Sequence, residues 1–88
     1  MQVEITNKFR KQVKKLNNKN INNSLVKVIQ SIGLAKNISE INNLKKLKGY
    51  KHFYRIRLGD YRIGVTIKDK IITLAAIDHR SDIYKYFP

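Results

Sequence analysis

Apolar and polar residues alternate along two neighbouring segments, 53–58 and 61–67, and this period of two predicts a pair of half-buried β-strands. A Gly-Asp dipeptide at 59–60 separates the segments, which is typical of a two-residue hairpin turn. A turn of this length also sets the register of the strands. It places Arg57 opposite Arg62, on the face that points away from the apolar side chains.

Two further strands are predicted on either side of this region. Residues 71–77 are apolar on both faces and follow a short turn at 68–70, so we expect an interior strand of the sheet. Residues 2–6 alternate, with Val3 and Ile5 on one side, and predict a short first strand.

The segment between the first strand and the hairpin has the period of a helix. Asn7 is expected to cap a first helix, and Ser24 is expected to cap a second helix that stops at Gly33. The asparagine-rich stretch 17–23 interrupts the apolar pattern and is interpreted as the loop between the helices. The two apolar stripes are formed by Phe9, Val13 and Leu16 and by Leu25, Val28, Ile29 and Ile32.

These elements predict a single α+β domain over residues 1–88, in the order β-α-α-β-β-β with a short C-terminal turn. The two helices form a hairpin that packs on one face of a small, largely antiparallel four-stranded sheet. Residues 35–43 are interpreted either as a further helical turn or as an irregular link. The arginines then lie on the sheet face that the helices leave open.

The charge of the chain predicts a polyanionic partner. There are 19 basic and 6 acidic residues, a formal net charge of +13. Many of the lysines are equally well explained as a solvated surface. The arginines are concentrated in one region, because four of the five lie between positions 55 and 80, whereas the 14 lysines are scattered along the chain. A planar guanidinium binds phosphate through two parallel hydrogen bonds, which a lysine ammonium does not reproduce.

Composition also excludes several kinds of site. The chain has no cysteine, so neither a disulfide nor a thiolate metal site is possible, and its few carboxylates are not clustered. We therefore expect no metal and no cofactor. The sequence has no recognisable signal peptide and no apolar run near the roughly 18 residues that span a bilayer. A cytoplasmic protein without a membrane partner is expected.

A basic site is predicted on the arginine-bearing face. Arg57 and Arg62 repel each other across the hairpin unless an anion binds between them. Gly64, opposite Arg55, is expected to leave room for a ligand backbone. Basic and aromatic groups on one open face suit RNA phosphates and unpaired bases. Further candidates for phosphate contacts are the lysines before the hairpin, Lys45, Lys46, Lys48 and Lys51.

The C-terminal segment adds groups for chemistry on RNA. Scission without a metal requires a base for the 2′-hydroxyl, cations beside the phosphorane and an acid for the leaving oxygen. Arg80 supplies a cation, and Tyr84 shares its face if this segment is helical. His79 and Tyr84 are both candidates for the proton transfer, and each is also explained as a residue without a catalytic role.

Three motifs stand out in the second half of the chain: LKGY at 47–50, YRIRLGDYRI at 54–63 and HRSDIY at 79–84. Together they resemble the RelE branch of the RelE/ParE superfamily, the toxins of type II toxin–antitoxin pairs. The resemblance implies a ribosome-dependent mRNA interferase that cuts mRNA in the ribosomal A site by attack of the 2′-hydroxyl on the adjacent phosphate. It also implies a cognate antitoxin that is acidic in the part that wraps this surface.

The same resemblance implies roles for individual residues. Arg57 and Arg62 would clamp the scissile phosphate, and Arg80 would stabilise the transition state. Arg55 would orient the mRNA or take part in proton transfer, and Tyr84 would act as the base or stack on a base of the substrate.

The chain departs from the best-studied RelE toxin in two respects. That toxin has lysines in place of Arg55 and Arg57, and its C-terminal tyrosine lies further from the preceding arginine. The shorter spacing here strengthens the case for His79 as the base. Two other classes of function stay open: a ParE-like inhibitor of gyrase without RNA chemistry, and a non-catalytic binding module whose basic face serves an antitoxin or a nucleic acid.

Overall fold

The computed structural model describes residues 1–88 and contains five strands, two α-helices and two 3₁₀ turns. In chain order these are β1 (Gln2–Ile5), α1 (Asn7–Leu16), α2 (Lys19–Leu34), a first 3₁₀ turn (Ile38–Glu40), β2 (Leu44–Lys46), β3 (Phe53–Leu58), β4 (Tyr61–Lys68), β5 (Ile71–His79) and a second 3₁₀ turn (Ile83–Lys85). Neither helix combines the length and the apolar character needed to cross a membrane.

The five strands form one sheet in the order β1-β5-β4-β3-β2. β1 runs parallel to β5, and the other neighbouring pairs are antiparallel. The predicted fold class is confirmed, but the predicted number of four strands is wrong. The additional strand, β2, has three residues, of which only Leu44 is apolar, so it is too short to show an alternating pattern.

Both predicted turns between the long strands are present. The register of β3 and β4 is as predicted, with Leu58 opposite Tyr61, Arg57 opposite Arg62 and Arg55 opposite Gly64. Gly59 begins the first turn with a φ of 60°, a left-handed conformation that glycine adopts without a Cβ clash. Asp69 and Lys70 form the second turn with φ values of 52° and 63°.

The helix boundaries differ from the predicted ones at both N-termini. Thr6 caps α1, because its Oγ1 accepts the backbone N–H of Phe9 at 3.1 Å, so Asn7 is the first helical residue and not the cap. Asn17 ends that helix in the left-handed region with a φ of 46°. Asn18 then caps α2 by accepting the backbone N–H of Ile21 at 3.1 Å.

The predicted loop at 17–23 and the predicted cap at Ser24 are therefore wrong. The asparagines serve as helix caps, for which their short polar side chains are suited, and α2 starts at Lys19. It ends at Leu34, one residue after the predicted stop at Gly33. The link that follows contains the helical turn that was one of its two interpretations.

The main core lies between the helices and one face of the sheet. The helices contribute Phe9, Ile21, Leu25 and Ile32, and the sheet contributes Ile56, Ile63, Val65, Ile67, Ile72, Leu74 and Ile77. All these side chains are buried. Because side chains alternate along a strand, the arginines at 55, 57 and 62 are directed to the opposite face, which we call the arginine face.

The C-terminal segment crosses part of the arginine face. Ile83 and Phe87 are buried there in a small second cluster with Ala76, and Phe53 packs against it. The rings of Phe53 and Phe87 meet edge to face, with centroids 5.7 Å apart. The arginine face is thus covered by the tail in its middle and open toward the β3–β4 turn.

Candidate functional site

Arg57 and Arg62 are direct neighbours across the β3–β4 hairpin. The backbone N–H of Arg57 donates to the carbonyl of Asn43 at 3.2 Å, so it points away from β4. The two arginines therefore form a non-hydrogen-bonded pair, in which Cα atoms of facing residues are only about 4.5 Å apart. The Arg57 side chain is exposed, and its guanidinium makes no hydrogen bond or ion pair with the protein.

The half-buried Arg62 side chain is braced by the turn. Its Nη1 donates to the carbonyls of Gly59 at 2.8 Å and Tyr61 at 2.9 Å. A guanidinium has five N–H donors, so the remaining donors of Arg62 are free for an anion. Bracing also reduces the entropy that the side chain loses when it binds.

Arg80 is brought to the same turn by its backbone. The N–H of Arg80 donates to the carbonyl of Asp60 at 2.8 Å, which ties the end of β5 to the β3–β4 turn. The Arg80 side chain is exposed and has no partner within the protein. Arg57, Arg62 and Arg80 are therefore held around one two-residue turn, and we call them the arginine triad.

Arg55 lies one step further along β3 and is half-buried. Its Nη1 donates to the Asn43 carbonyl at 2.8 Å. The expected gap beside it at Gly64 does not exist, because the ring of Phe87 fills it. A β-carbon at Gly64 would lie 2.6 Å from Phe87 Cδ2. Gly64 is therefore explained by the packing of the tail, and the prediction of a ligand backbone at this position is wrong.

Two of the four lysines before the hairpin lie in β2, on opposite sides of the sheet, and the other two lie in the connection that follows. Lys45 pairs with Arg55 across β2 and β3, so it extends the arginine face. Lys46 pairs with Tyr54 and points to the opposite side. Lys48 and Lys51 are exposed in the β2–β3 connection.

Tyr84 lies in the second 3₁₀ turn, next to the buried Ile83. Its side chain is 50% exposed, and its hydroxyl makes no hydrogen bond to the protein. Arg80 and Tyr84 would share a face if this segment were an α-helix, and that condition is not met. The segment forms successive i to i+3 turns, such as Asp82 N–H to the His79 carbonyl at 2.9 Å, and residues four apart do not align in that geometry.

His79 ends β5 opposite Tyr61, on the side of the sheet that the helices cover. The two rings meet edge to face with centroids 5.8 Å apart. Its Nδ1 accepts the backbone N–H of Ser81 at 3.2 Å and lies 2.8 Å from the Ser81 hydroxyl. A neutral imidazole with Nδ1 as acceptor carries its proton on Nε2, so the outer nitrogen is a donor.

A polar network beside the triad was not predicted from the sequence. The Asp78 carboxylate accepts a hydrogen bond from the Tyr86 hydroxyl at 3.1 Å, and Gln12 Nε2 donates to that hydroxyl oxygen at 2.9 Å. The turn at Asp69 and Lys70 alone would place Arg62 opposite Ile77, and a register shift between Gly64 and Val65 brings Asp78 opposite Arg62 instead. The hydrogen bonds of Gln12 on α1 depend on how the helix packs against the sheet, which the sequence pattern does not show.

Partial burial raises the pKa of Tyr86 above its ordinary value of 10.0. The hydrogen bond from Gln12 acts in the opposite direction, and the hydrogen bond to Asp78 raises the pKa further. Tyr86 therefore keeps its proton at neutral pH and is a donor. The positions of His, Asp and Glu residues bring no three of them together as a metal site requires.

The chain matches the family described as the ParE toxin of the type II toxin–antitoxin system, parDE, over residues 3–84. It is 43% identical to toxin RelE3 of Methanocaldococcus jannaschii over 58 residues, which are 61% of this chain and 66% of that protein, just under two thirds of its length.

Several solved structures have the same fold. The RelB–RelE antitoxin–toxin complex of Methanococcus jannaschii contains a chain that matches with a TM-score of 0.81 and 30% identity, over 97% of this chain and 99% of that one. The RelE–RelB complex of Pyrococcus horikoshii matches with a TM-score of 0.74 and 24% identity, over 92% and 96%. The YoeB dimer of Staphylococcus aureus matches with a TM-score of 0.70 and 19% identity, over 91% and 97%.

Proposed function

This chain belongs to the RelE/ParE superfamily of toxins from type II toxin–antitoxin systems, and from that membership we propose that it is a ribosome-dependent endoribonuclease. It cleaves mRNA in the ribosomal A site and thereby stops translation. The reaction is metal-independent and takes place in the cytoplasm.

The arginine triad is the observation that carries this proposal. Two of its guanidinium groups, those of Arg57 and Arg80, have no partner in the protein, and the third is braced but keeps free donors. Three like charges around one turn destabilise the fold unless they serve an anion. An RNA phosphate matches both the charge and the fork geometry of the guanidinium groups.

The proposed reaction is an internal transesterification. The 2′-hydroxyl oxygen attacks the adjacent phosphorus, its proton passes to a base, and the bond to the 5′-oxygen breaks as that oxygen takes up a proton. The products are a 2′,3′-cyclic phosphate, or a 3′-phosphate after hydrolysis, and a 5′-hydroxyl. Arg57 and Arg62 clamp the phosphate, and Arg80 stabilises the charge that develops on the phosphorane.

We assign the proton transfer from the 2′-hydroxyl to Tyr84 in preference to His79. The Tyr84 hydroxyl is exposed and free of protein hydrogen bonds. His79 points to the other side of the sheet beside Tyr61, and its outer nitrogen is a donor. Arg55 and Lys45, which extend the arginine face, orient the RNA strand, and Lys46, Lys48 and Lys51 add weaker contacts to ribosomal or messenger phosphates.

The proposed protein partner is an antitoxin with an acidic segment. Relatives from Methanococcus jannaschii and Pyrococcus horikoshii are RelE proteins in complexes with RelB. A net charge of +13 favours a segment of opposite sign. Such a segment on the arginine face would neutralise the triad and block RNA.

A second candidate function is inhibition of DNA gyrase, because the matching family carries the name of the ParE toxin. A ParE-like chain would bind a protein–DNA complex and would not need a triad placed for phosphate chemistry. A third candidate, a basic module that only binds antitoxin or nucleic acid, is compatible with the charge.

The deciding experiment is induction of the protein followed by mapping of mRNA 5′ ends on translating ribosomes. We expect new 5′-hydroxyl ends within codons, which are absent when Arg57→Ala or Arg80→Ala is induced to the same level. Intact mRNA accompanied by supercoiling defects would reject the nuclease and favour gyrase inhibition. Intact mRNA with normal DNA supercoiling would favour the third candidate, a basic module that only binds antitoxin or nucleic acid.

A further inference from the structure

Arg62 and Asp78 face each other across β4 and β5, yet they are not paired. They are direct register partners, so their side chains leave the same side of the sheet with Cβ atoms about 5 Å apart. Opposite charges in this arrangement normally attract each other. The one ion pair of the molecule, however, joins Lys85 to Asp82.

The Asp78 carboxylate is occupied on both oxygens. Its Oδ1 accepts the backbone N–H of His79 at 2.8 Å. Its Oδ2 accepts the hydroxyl of Tyr86 at 3.1 Å. The Arg62 Nη1 donates to the turn carbonyls of Gly59 and Tyr61, and its other donors make no hydrogen bond to the protein.

Tyr86 is itself fixed by the first helix. Gln12 donates from Nε2 to the Tyr86 hydroxyl oxygen at 2.9 Å, and Gln12 Oε1 accepts the backbone N–H of Ile77 at 2.9 Å. That N–H lies beyond the part of β5 that pairs with β1, so Gln12 also satisfies an open sheet edge. The ammonium of Lys8 lies 4.2 Å from the centre of the Tyr86 ring.

We propose that Tyr86 is a positioning residue that turns the Asp78 carboxylate away from Arg62 and so keeps the Arg62 guanidinium available for RNA phosphate. This inference rests on the proposed function of the arginine triad. A carboxylate paired with Arg62 would both occupy its free donors and repel the incoming phosphate. The hydroxyl of Tyr86 counters this competition, because its hydrogen bond to Oδ2 orients the Asp78 carboxylate toward the tail.

The test uses the whole chain, inorganic phosphate as the probe and NMR of the Arg62 Nε–H group. We compare wild type, Tyr86→Phe, Asp78→Asn and the double variant. Tyr86→Phe keeps the ring under Lys8 and removes only the hydroxyl. Tyr50→Phe is the matched control, because Tyr50 is exposed and its hydroxyl makes no hydrogen bond.

In Tyr86→Phe we expect the phosphate affinity at Arg62 to fall by about twofold to fivefold, as expected for competition from a partly exposed ion pair. The free Nε–H resonance should also shift toward that of a carboxylate-bound arginine. In the double variant both effects should disappear, and neither Asp78→Asn nor Tyr50→Phe should weaken binding. Rescue by Asp78→Asn separates positioning from a loss of structure.

Unchanged affinity in Tyr86→Phe, or a loss that the second substitution does not restore, would overturn the inference. So would weaker binding in Asp78→Asn alone. The proposed function is tested by a separate assay, which measures cleavage of mRNA on ribosomes by the wild type. If the wild type does not cleave but the phosphate pattern holds, the nuclease proposal fails and the role of Tyr86 stands.

Discussion

Phe87 packs directly on Gly64, so the last aromatic residue of the chain covers the middle of the arginine face. A β-carbon at Gly64 would lie 2.6 Å from a ring carbon of Phe87, closer than real Cβ contacts come. The ring is backed by Phe53 and by the buried Ile83. The tail is therefore positioned by a glycine in the sheet, and the opening of the site at the turn depends on that packing.

We expect Gly64→Ala to destabilise the fold by about 1–3 kcal/mol, the usual cost of overpacking. Chemical denaturation measures the loss. Gly33→Ala is the matched control, because nothing lies within 4 Å of its added methyl group and it sits in a helix, where alanine is favoured by about 0.5–1 kcal/mol. In a Phe87→Ala background the Gly64→Ala effect should largely vanish, and an undiminished effect would contradict the contact.

Lys70 has a φ of 63° in the β4–β5 turn, a left-handed conformation that costs a residue with a β-carbon about 1–2 kcal/mol relative to glycine. We expect Lys70→Gly to raise the free energy of unfolding by about 1 kcal/mol. Lys70→Ala removes the same charge but keeps the β-carbon. Equal gains in the two variants would attribute the effect to charge and not to the backbone.

The parts of the fold that were predicted correctly are those set by neighbouring residues. The two-residue turn at Gly59-Asp60 determines the register of β3 and β4, so the facing of Arg57 and Arg62 followed from the sequence. The predicted loop at 17–23 was wrong because asparagine is common both in loops and at helix caps. Residues 17–23 have the composition of a loop, but Asn17 and Asn18 end one helix and begin the next.

The parts that were missed depend on contacts between distant residues. The strand β2 forms because its three residues pair with β3, and this pairing cannot be predicted from the local sequence. The position of the tail is set by the packing of Phe87 on Gly64. The hydrogen bonds around Asp78 require Gln12 from α1 and Tyr86 from the tail. Arg80 was predicted as a cation of the site, but its place at the turn results from a hydrogen bond to Asp60.

The raised pKa of Tyr86 predicts a loss of stability at high pH. The folded protein holds this proton more tightly than the unfolded chain, so the contribution is complete below the ordinary pKa of 10.0 and is lost as the pH rises through the raised pKa. As the pH rises above 10.0, we expect the free energy of unfolding to fall more steeply for the wild type than for Tyr86→Phe. Denaturant titrations across this range measure the difference, and parallel curves would contradict it.

Removal of one triad guanidinium is expected to lower the rate of mRNA cleavage by about 10²–10³, the usual effect of losing a charge contact in the transition state. Arg57→Ala and Arg80→Ala test this in single-turnover reactions on purified ribosomes. Both side chains are exposed and unpartnered, so neither variant should lose stability, and loss of the like-charge repulsion across the hairpin should stabilise Arg57→Ala slightly. Arg10→Ala, an exposed arginine on α1, is the matched control. A comparable loss in Arg10→Ala would indicate general electrostatics and not a site.

Tyr84→Phe is expected to slow single-turnover cleavage by about 10²–10⁴, the contribution of a positioned proton-transfer group, while His79→Ala retains most of the rate. Phenylalanine keeps the ring for stacking and removes only the hydroxyl, which has no other partner in the protein. Saturating ribosomes separate the chemical step from binding. Full activity of Tyr84→Phe with a slow Tyr84→Ala would assign Tyr84 to stacking on a base of the substrate. A large loss in His79→Ala alone would move the proton transfer to the imidazole, which would then have to leave Tyr61 and turn past the end of β5.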